Sequence, residues 1–316
     1  MWYSMHMTNI KKIEFEHFVW IDITNPSKVE LEALREEYNF HPLDIADCLK
    51  PSKRSKVDVY QHYTFASLLY PVYNREQRVI IPTEINFFIS HGFIITVHHN
   101  TIKTFTDFVD LLRLTNELRS KYQQRSPELL LEDIFSKLFA YVFPIIDHLA
   151  DDCDTIQDAI FNNRERAMVY EILLIRRNIT ETRKAMQIHR SAIRKIMHSA
   201  KKSRVGQRNY DEIHGDTLIE TTKEIWESLE NLEERIVALQ QTNESRISFK
   251  ITVIMRTLTI ISMLTLPVTL VATLFGMNLM NDMPLLKHPN NFSIVVSLMA
   301  AIVLVLVIVF KKKEWL

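Results

Sequence analysis

The sequence predicts an α+β domain, built as an α/β sandwich, followed by long helices that form a stalk and by a two-helix transmembrane hairpin. Residues 10–101 contain short runs rich in β-branched and aromatic side chains, and the pattern becomes helical after them. Two uncharged runs, 257–281 and 292–310, are each long enough to cross about 30 Å of hydrocarbon as a helix. We therefore expect an α/β domain at 1–125, a stalk at 126–250 and the hairpin at 251–316.

Composition excludes several classes of protein. Lys and Arg total 38 and so do Asp and Glu, which gives no basic surplus for binding nucleic acid. The two cysteines, Cys48 and Cys153, indicate no disulfide framework, and we expect Cys48 to be an ordinary buried thiol. The first seven residues do not have the pattern of a cleaved signal peptide. His98 and His99 end a predicted strand and point to opposite faces, so we expect surface histidines rather than a metal site.

Local signals place the elements of the α/β domain. Ser27 and Glu30 form an S-x-x-E capping box, which predicts a helix that ends near Tyr38. Pro42 suits the first turn of the next helix. Strands are predicted from composition at 20–23, 57–60, 64–72, 80–89 and 93–97.

The stalk is predicted from long helical patterns. Ser126 and Pro127 begin one helix, and a second helix is expected at 164–199. A helical pattern that starts near Thr217 has no breaker before Pro267. We therefore predict one continuous helix at 217–274, whose C-terminal part is the first membrane span.

Charge is segregated between these helices. Residues 164–208 contain thirteen Lys or Arg against three Asp or Glu, and residues 209–244 contain two against ten. Packed helices of opposite charge form surface salt bridges, each of which stabilises the fold little. A basic helix beside phospholipid headgroups is a second interpretation.

The end of the first uncharged run carries a short polar motif. Gly276 has no Cβ and permits a left-handed helix end, and Asn278 presents an amide at the membrane surface. One interpretation is an ordinary helix cap, because Gly and Asn are the usual residues there. The other is a ring of Asn278 amide oxygens, contributed by several subunits, that accepts hydrogen bonds from a hydrated cation such as Mg²⁺.

The motif and its surroundings resemble the CorA magnesium transporter family. The residues that carry the resemblance are Phe275-Gly276-Met277-Asn278, Met283-Pro284, the terminal Lys311-Lys312-Lys313-Glu314-Trp315-Leu316, the segments 258–261 and 267–269, and the N-terminal 20–26, 41–43 and Asp47. The resemblance covers most of the chain. It implies a funnel-shaped homo-oligomer, a pentamer, that carries Mg²⁺ or Co²⁺ through the bilayer and uses Gly276, Met277 and Asn278 for selectivity.

Candidate pore residues lie in the first span. Helical spacing offers the polar residues Thr252, Thr259, Thr269 and Thr273, and the resemblance implies apolar constrictions at Met255, Leu258 and Leu266. Alternatively, each threonine hydroxyl bonds to its own backbone and the apolar residues face lipid or another helix.

Candidate regulatory residues lie at the acidic start of the long helix. Asp211, Asp216 and Glu220 have the oxygen ligands that Mg²⁺ prefers, and they are candidates for binding a divalent cation between subunits. In this interpretation cytosolic Mg²⁺ both regulates the protein and is its transported ion. Salt bridging by the same residues is the alternative.

Charges that flank the spans predict their orientation. Arg246, Lys250 and Arg256 precede the first span and Lys311–Lys313 follow the second, whereas the loop between them has one lysine. The positive-inside rule therefore places both termini in the cytoplasm of a two-span protein of the cell membrane.

Some positions depart from the family pattern. Leu285 follows Met-Pro where members often carry an acidic residue, Thr252 replaces an amide at the inner mouth, and Asn74 stands where an acidic metal-sensing residue can occur. A transporter of Zn²⁺, Co²⁺ or Ni²⁺ on the same scaffold therefore remains an alternative. A membrane-anchored enzyme or scaffold protein is a further one, but the sequence has no nucleophile motif and no phosphate-binding glycine loop. We expect no enzyme activity.

Overall fold

The computed structural model describes residues 9–50, 54–99, 101–202, 212–276, 291–313 and 315. The chain divides into two compact units, Met1–Gln241 and Thr242–Leu316.

The first unit is organised around one six-stranded sheet. Its strands are β1 (Ile10–Glu14), β2 (Val19–Thr24), β3 (Lys56–Val59), β4 (Thr64–Asn74), β5 (Val79–Ile89) and β6 (Phe93–His98). The order in the described sheet is β1-β2-β6-β5-β4-β3, and β2 pairs with β6 in parallel while the other pairs are antiparallel. The predicted strands are confirmed to within two residues, and β1 is an additional edge strand.

Two helices cover one face of this sheet. Helix α1 (Lys28–Tyr38) begins with the predicted capping box: the Glu30 amide donates to Ser27 Oγ at 3.2 Å, and the Ser27 amide donates to Glu30 Oε2 at 2.8 Å. Helix α2 (Pro42–Leu49) begins at the predicted proline. The core on this side contains Leu31, Phe65 and Phe88, all almost fully buried.

Further helices cover the opposite face, so the predicted α/β sandwich is confirmed. They are α3 (Lys103–Leu114), α4 (Asn116–Gln123), α5 (Pro127–Phe161), α6 (Glu165–Met186), α7 (His189–Lys202) and the first part of α8 (Glu212–Gly276). Their apolar side chains form one large core with the sheet.

The single helix predicted at 164–199 is wrong. It is interrupted by a turn at Gln187 and Ile188, although neither residue is a helix breaker. Ile175 and Ile179 of α6 and Ile193 of α7 all belong to the same core. Both helices place apolar side chains in that core, and such tertiary packing is a constraint that local sequence does not encode.

The second unit contains the remainder of α8 and, after residue 290, α9 (Asn291–Lys312). Helix α8 has 65 residues and confirms the predicted continuous helix. The most apolar 18-residue windows of α8 and α9 are only 6% and 0% buried. Long apolar helices that no protein covers are typical of membrane spans, because lipid covers their apolar side chains.

Candidate functional site

One stripe of exposed residues follows α8 through the second unit. Its members are spaced alternately by three and four positions, and all are exposed except the half-buried Thr259: Thr252, Met255, Thr259, Ser262, Leu266, Thr269, Thr273 and Gly276. Such spacing keeps residues on one side of a helix, and its period of 3.5 residues is typical of helices that supercoil around a common axis.

The stripe lies on the side of α8 away from α9. The covered side of α8 is marked by Ile260, which is 9% exposed, and by the half-buried Val268, which lines one groove together with α9. Helical geometry turns the chain by about 100° per residue, so Val268 lies about 200° beyond Leu266. The second span of the same chain therefore leaves the stripe uncovered.

The threonines of this span all bond to their own backbone. Thr252, Thr259 and Thr269 donate their hydroxyl protons to the carbonyl four residues earlier, at 3.0, 2.8 and 2.9 Å, and Thr273 does so at 2.9 Å. This is the alternative that the sequence left open, and it does not remove the residues from a pore. A hydroxyl whose proton is engaged presents only oxygen lone pairs outward.

Six of the seven candidate pore residues lie on the stripe. Leu258 does not, because it precedes Thr259 and is turned by about 100° from it; its side chain is 57% exposed. Ser262 was missed by the sequence analysis, although counting the 3-4 spacing from Thr259 to Leu266 would have identified it.

The polar motif is only partly described. Gly276 is the last residue of α8, its φ is not left-handed, and a Cβ built on it would meet no atom within 4 Å. Gly276 therefore does not adopt the left-handed conformation that the absence of a Cβ permits. Met277 and Asn278 lie outside the described residues.

The same 3-4 spacing occurs earlier on α8, in the first unit. There the exposed positions are Thr217, Glu220, Glu224, Glu227, Asn231 and Glu234, and the positions between them, such as Leu218, Ile225 and Leu229, are buried in the core. This exposed stripe is strongly acidic, whereas the one in the second unit is neutral.

Within one chain, the candidate cation ligands that the structure describes do not come together at one point. Asp216 and Glu220 are exposed, and Glu220 Oε1 lies 3.3 Å from Lys223 Nζ. Asp211 lies outside the described residues. Among the side chains that the structure does describe, no group of three or more His, Cys, Asp or Glu is placed to hold a metal ion. Any cation site made by these carboxylates needs oxygen atoms from another source, such as a second subunit.

Some basic side chains of α6 contact side chains of α8 within the first unit. Arg183 Nη1 of α6 lies 3.4 Å from Glu233 Oε2 of α8, and its guanidinium lies 5.0 Å from the centre of the Trp226 ring. Arg176 also donates to Gln240 at 3.0 Å. The predicted salt bridging between the basic and acidic helices is confirmed for Arg183 and Glu233.

A buried polar network corrects the prediction for His98, whereas His99 is exposed as expected. His98 is 4% exposed, and its Nε2 lies 3.2 Å from Asp22 Oδ1 on the neighbouring strand β2. Thr96 donates to the same carboxylate oxygen at 2.5 Å and accepts from Trp20 Nε1 at 3.1 Å. The parallel pairing of β2 with β6 brings these residues together, and single-strand periodicity could not reveal it.

The two cysteines behave as expected. Both are buried and neither forms a disulfide. Burial raises the pKa of the Cys48 thiol well above its usual value and raises the pKa of Cys153 to about 11. Neutral buried thiols are poor nucleophiles, so they supply no catalytic group.

Comparison with known proteins identifies the family. The model of the family described as CorA-like Mg²⁺ transporter protein matches residues 15–312.

The chain belongs to the CorA-like Mg²⁺ transporter family.

Similar proteins agree with this assignment along almost the whole chain. The cobalt/magnesium transport protein CorA of Thermotoga maritima is 22% identical over 302 residues, which cover 94% of this chain and 83% of that protein. The complete structure of the CorA magnesium transporter from Methanocaldococcus jannaschii superposes with a TM-score of 0.76 at 19% identity, over 96% of this chain and 94% of that one. The full-length CmaX protein gives 0.70 at 18% identity, over 94% and 89%.

Membership of the CorA-like family also decides how the two apolar helices are understood. A family of membrane transporters, together with two long apolar helices that are not buried in protein, makes this chain a two-span membrane protein. Members of this family are transporters rather than enzymes.

Proposed function

We propose that this protein is a homo-oligomeric transporter that carries Mg²⁺ into the cell along a path lined by the exposed stripe of α8. The observation that carries the proposal is that this stripe, with its 3-4 spacing, lies on the side of α8 that α9 does not cover. One hairpin cannot enclose a water-filled path, so several copies must contribute the same helix. We propose five copies, following the family resemblance.

The chemistry of the stripe suits a hydrated cation. The outward lone pairs of Thr252, Thr259, Thr269 and Thr273 accept hydrogen bonds, and the water shell of a cation offers O–H donors. Mg²⁺ gives up its water reluctantly, so a path that binds the hydrate avoids that cost. Asn278 would add a ring of amide oxygens at the outer mouth.

Apolar members of the stripe supply the gate. Met255 is 56% exposed and Leu266 is 69% exposed in one chain, so their side chains are available to meet across an axis. An apolar constriction closes a channel by excluding water, and a small outward movement of the helices reopens it. In this proposal Leu258 lies at the edge of the path.

The membrane potential supplies the driving force. A charge moving through 100 mV gains about 2.3 kcal/mol, and a divalent cation therefore gains about 4.6 kcal/mol. Uptake is favoured if the flanking basic residues lie in the cytoplasm, as the positive-inside rule predicts. No nucleotide-binding motif occurs in the sequence, and none is needed.

Regulation is proposed to use the carboxylates of the first unit. Asp211, Asp216 and Glu220 from neighbouring subunits would share Mg²⁺ when its cytosolic concentration is high and hold the path closed. Limited proteolysis of the intact oligomer should be slower with Mg²⁺ than without it, and neutralising Asp216 and Glu220 should abolish that difference. Equal proteolysis of the intact wild-type oligomer under both conditions would contradict this mode of regulation.

Two measurements test the proposed function. Mass determination in detergent should give an oligomer, and vesicles that contain it should take up Mg²⁺ when their interior is negative. A monomer that transports Mg²⁺ would refute the shared path. Competition by Co²⁺, Ni²⁺ and Zn²⁺ in the same vesicles distinguishes the alternative substrates.

A further inference from the structure

An apolar groove runs along the second unit between α8 and α9. It has a volume of about 590 Å³, and its walls include Val268 of α8 and Val296, Ala300, Val303, Leu304 and Val307 of α9. Along α9 it extends from Val296 to Ile308, so its length is about 18 Å at a rise of 1.5 Å per residue. That length is close to the thickness of one leaflet, about half of the 30 Å hydrocarbon core.

The groove opens away from the proposed path. Val268 lies about 200° around α8 from Leu266, which belongs to the stripe. If the stripe faces the axis of the oligomer, as the proposed function requires, the groove faces outward. Lipid is then the neighbour that its position favours, rather than the ion path.

Basic residues lie at one end of the groove. Lys311 and Lys312 follow Val307 and Ile308 by three to five positions, so Lys311 continues the face of α9 that lines the groove. Both lysines are exposed. The sequence of this end also contains Lys313 and a single acidic residue, Glu314, so its net charge is positive.

Specific contacts fix the C-terminal segment after α9 at the basic end of the groove. The Trp315 amide donates to the Phe310 carbonyl at 2.9 Å, and the two rings stack with centres 6.0 Å apart. Arg256 of α8 donates through Nε to the Trp315 carbonyl at 2.9 Å. Trp and basic side chains at the end of a span are typical of the membrane–water interface.

We propose that an anionic phospholipid occupies this groove, with one acyl chain against Ala300, Val303 and Val307 and its phosphate at Lys311 and Lys312. The lipid belongs to the leaflet on the lysine side, which is the cytoplasmic leaflet in the proposed orientation. The apolar walls take the chain, and the two ammonium groups select an anionic headgroup over a zwitterionic one. The outward position of the groove rests on the proposed function.

Adjacent alanines offer a matched pair of variants. Ala300 lines the groove, whereas Ala301 is exposed on α9 and does not line it. The purified full chain, freed of lipid in detergent, is mixed with phosphatidylglycerol or phosphatidylcholine, and bound lipid is counted by native mass spectrometry. We expect preferential retention of phosphatidylglycerol, a loss of at least roughly fivefold in Ala300→Trp, and no loss in Ala301→Trp.

The headgroup contact has its own test. The double variant Lys311→Gln, Lys312→Gln should reduce phosphatidylglycerol retention to the level of phosphatidylcholine, while Lys223→Gln in the first unit should not. Equal retention of the two lipids by the wild-type chain, or equal effects of the two alanine variants, would overturn the proposal. Dissociation of the oligomer by Ala300→Trp alone would also overturn it, because a second copy would then fill the groove. Lipid counting requires no ion flux, so its outcome is independent of whether the protein transports Mg²⁺.

Discussion

Thr259 and Thr257 provide a sharp test of the path along α8. Both are threonines of the same helix, and both donate to the carbonyl four residues earlier, at 2.8 Å for Thr259 and 2.9 Å for Thr257. They differ in direction, because two residues correspond to about 200° of rotation. Thr259 lies on the stripe and Thr257 lies on the opposite side.

Substitution by valine keeps the shape and the β-branching of each side chain and removes the hydroxyl. The local cost to the helix should therefore be the same at both positions. Only Thr259→Val removes an acceptor from the path. A hydrogen bond contributes a net free energy of about 1 kcal/mol, with a range of about 0.5 to 1.5 kcal/mol. One lost contact to the hydrated ion should therefore lower Mg²⁺ flux about fivefold, since 1.4 kcal/mol is a factor of about ten.

The assay is initial Mg²⁺ uptake into vesicles at a fixed inside-negative potential, normalised to the amount of assembled oligomer. Thr257→Val should transport as the wild type does, and Thr259→Ser, which keeps the hydroxyl, should recover most of the loss. A fivefold loss in Thr257→Val with normal flux in Thr259→Val would refute the assignment of the stripe to the path. Equal losses would show that the hydroxyls act only through the helix.

Two further predictions concern the first unit. Asp22→Ala should lower the free energy of unfolding by about 2 to 3 kcal/mol, because the buried Thr96 hydroxyl loses its acceptor. Asp22→Asn keeps an acceptor and should lower the free energy of unfolding less. Thermal unfolding of the two variants measures this difference, and equal stability of the two would contradict the prediction. Burial beside Tyr70 and Phe139 lowers the pKa of His189 from 6.5 to about 4, so the unfolded chain binds more protons between these pH values. The free energy of unfolding should therefore fall as pH is lowered from about 6.5 to about 4. His189→Phe should flatten this part of the plot of unfolding free energy against pH. An unchanged plot in the variant would refute the contribution of His189.

Local sequence signals were sufficient for most of the fold. The capping box at Ser27, the proline at the start of α2 and the alternating strands all act within a few residues, so one sequence reveals them. The break between α6 and α7 falls at Gln187 and Ile188, which are not helix breakers, and the burial of His98 depends on Asp22, which is distant in the chain. Neither feature leaves a local signature, which is why both predictions failed.

The candidate path was predictable because it follows a helical repeat. The threonines were found from spacing alone, and six of the seven candidates lie on one side of α8. Ser262 was missed because a lone serine carries no signal until the repeat is counted through it. The acidic residues were recognised from charge, but the described residues of one chain do not bring them together as a metal site, so the metal role proposed for them requires neighbouring subunits.

The central claim is that identical chains share a cation path that ends in a ring of Asn278 amides. The most direct measurement is Mg²⁺ uptake by Asn278→Ala in vesicles at a fixed inside-negative potential, with the mass of the oligomer checked separately. Alanine removes the amide oxygen that would accept hydrogen bonds from the ion's water shell, so we predict loss of uptake by a protein that still assembles. Wild-type uptake by correctly assembled Asn278→Ala would contradict the ring and reduce the motif to an ordinary helix cap.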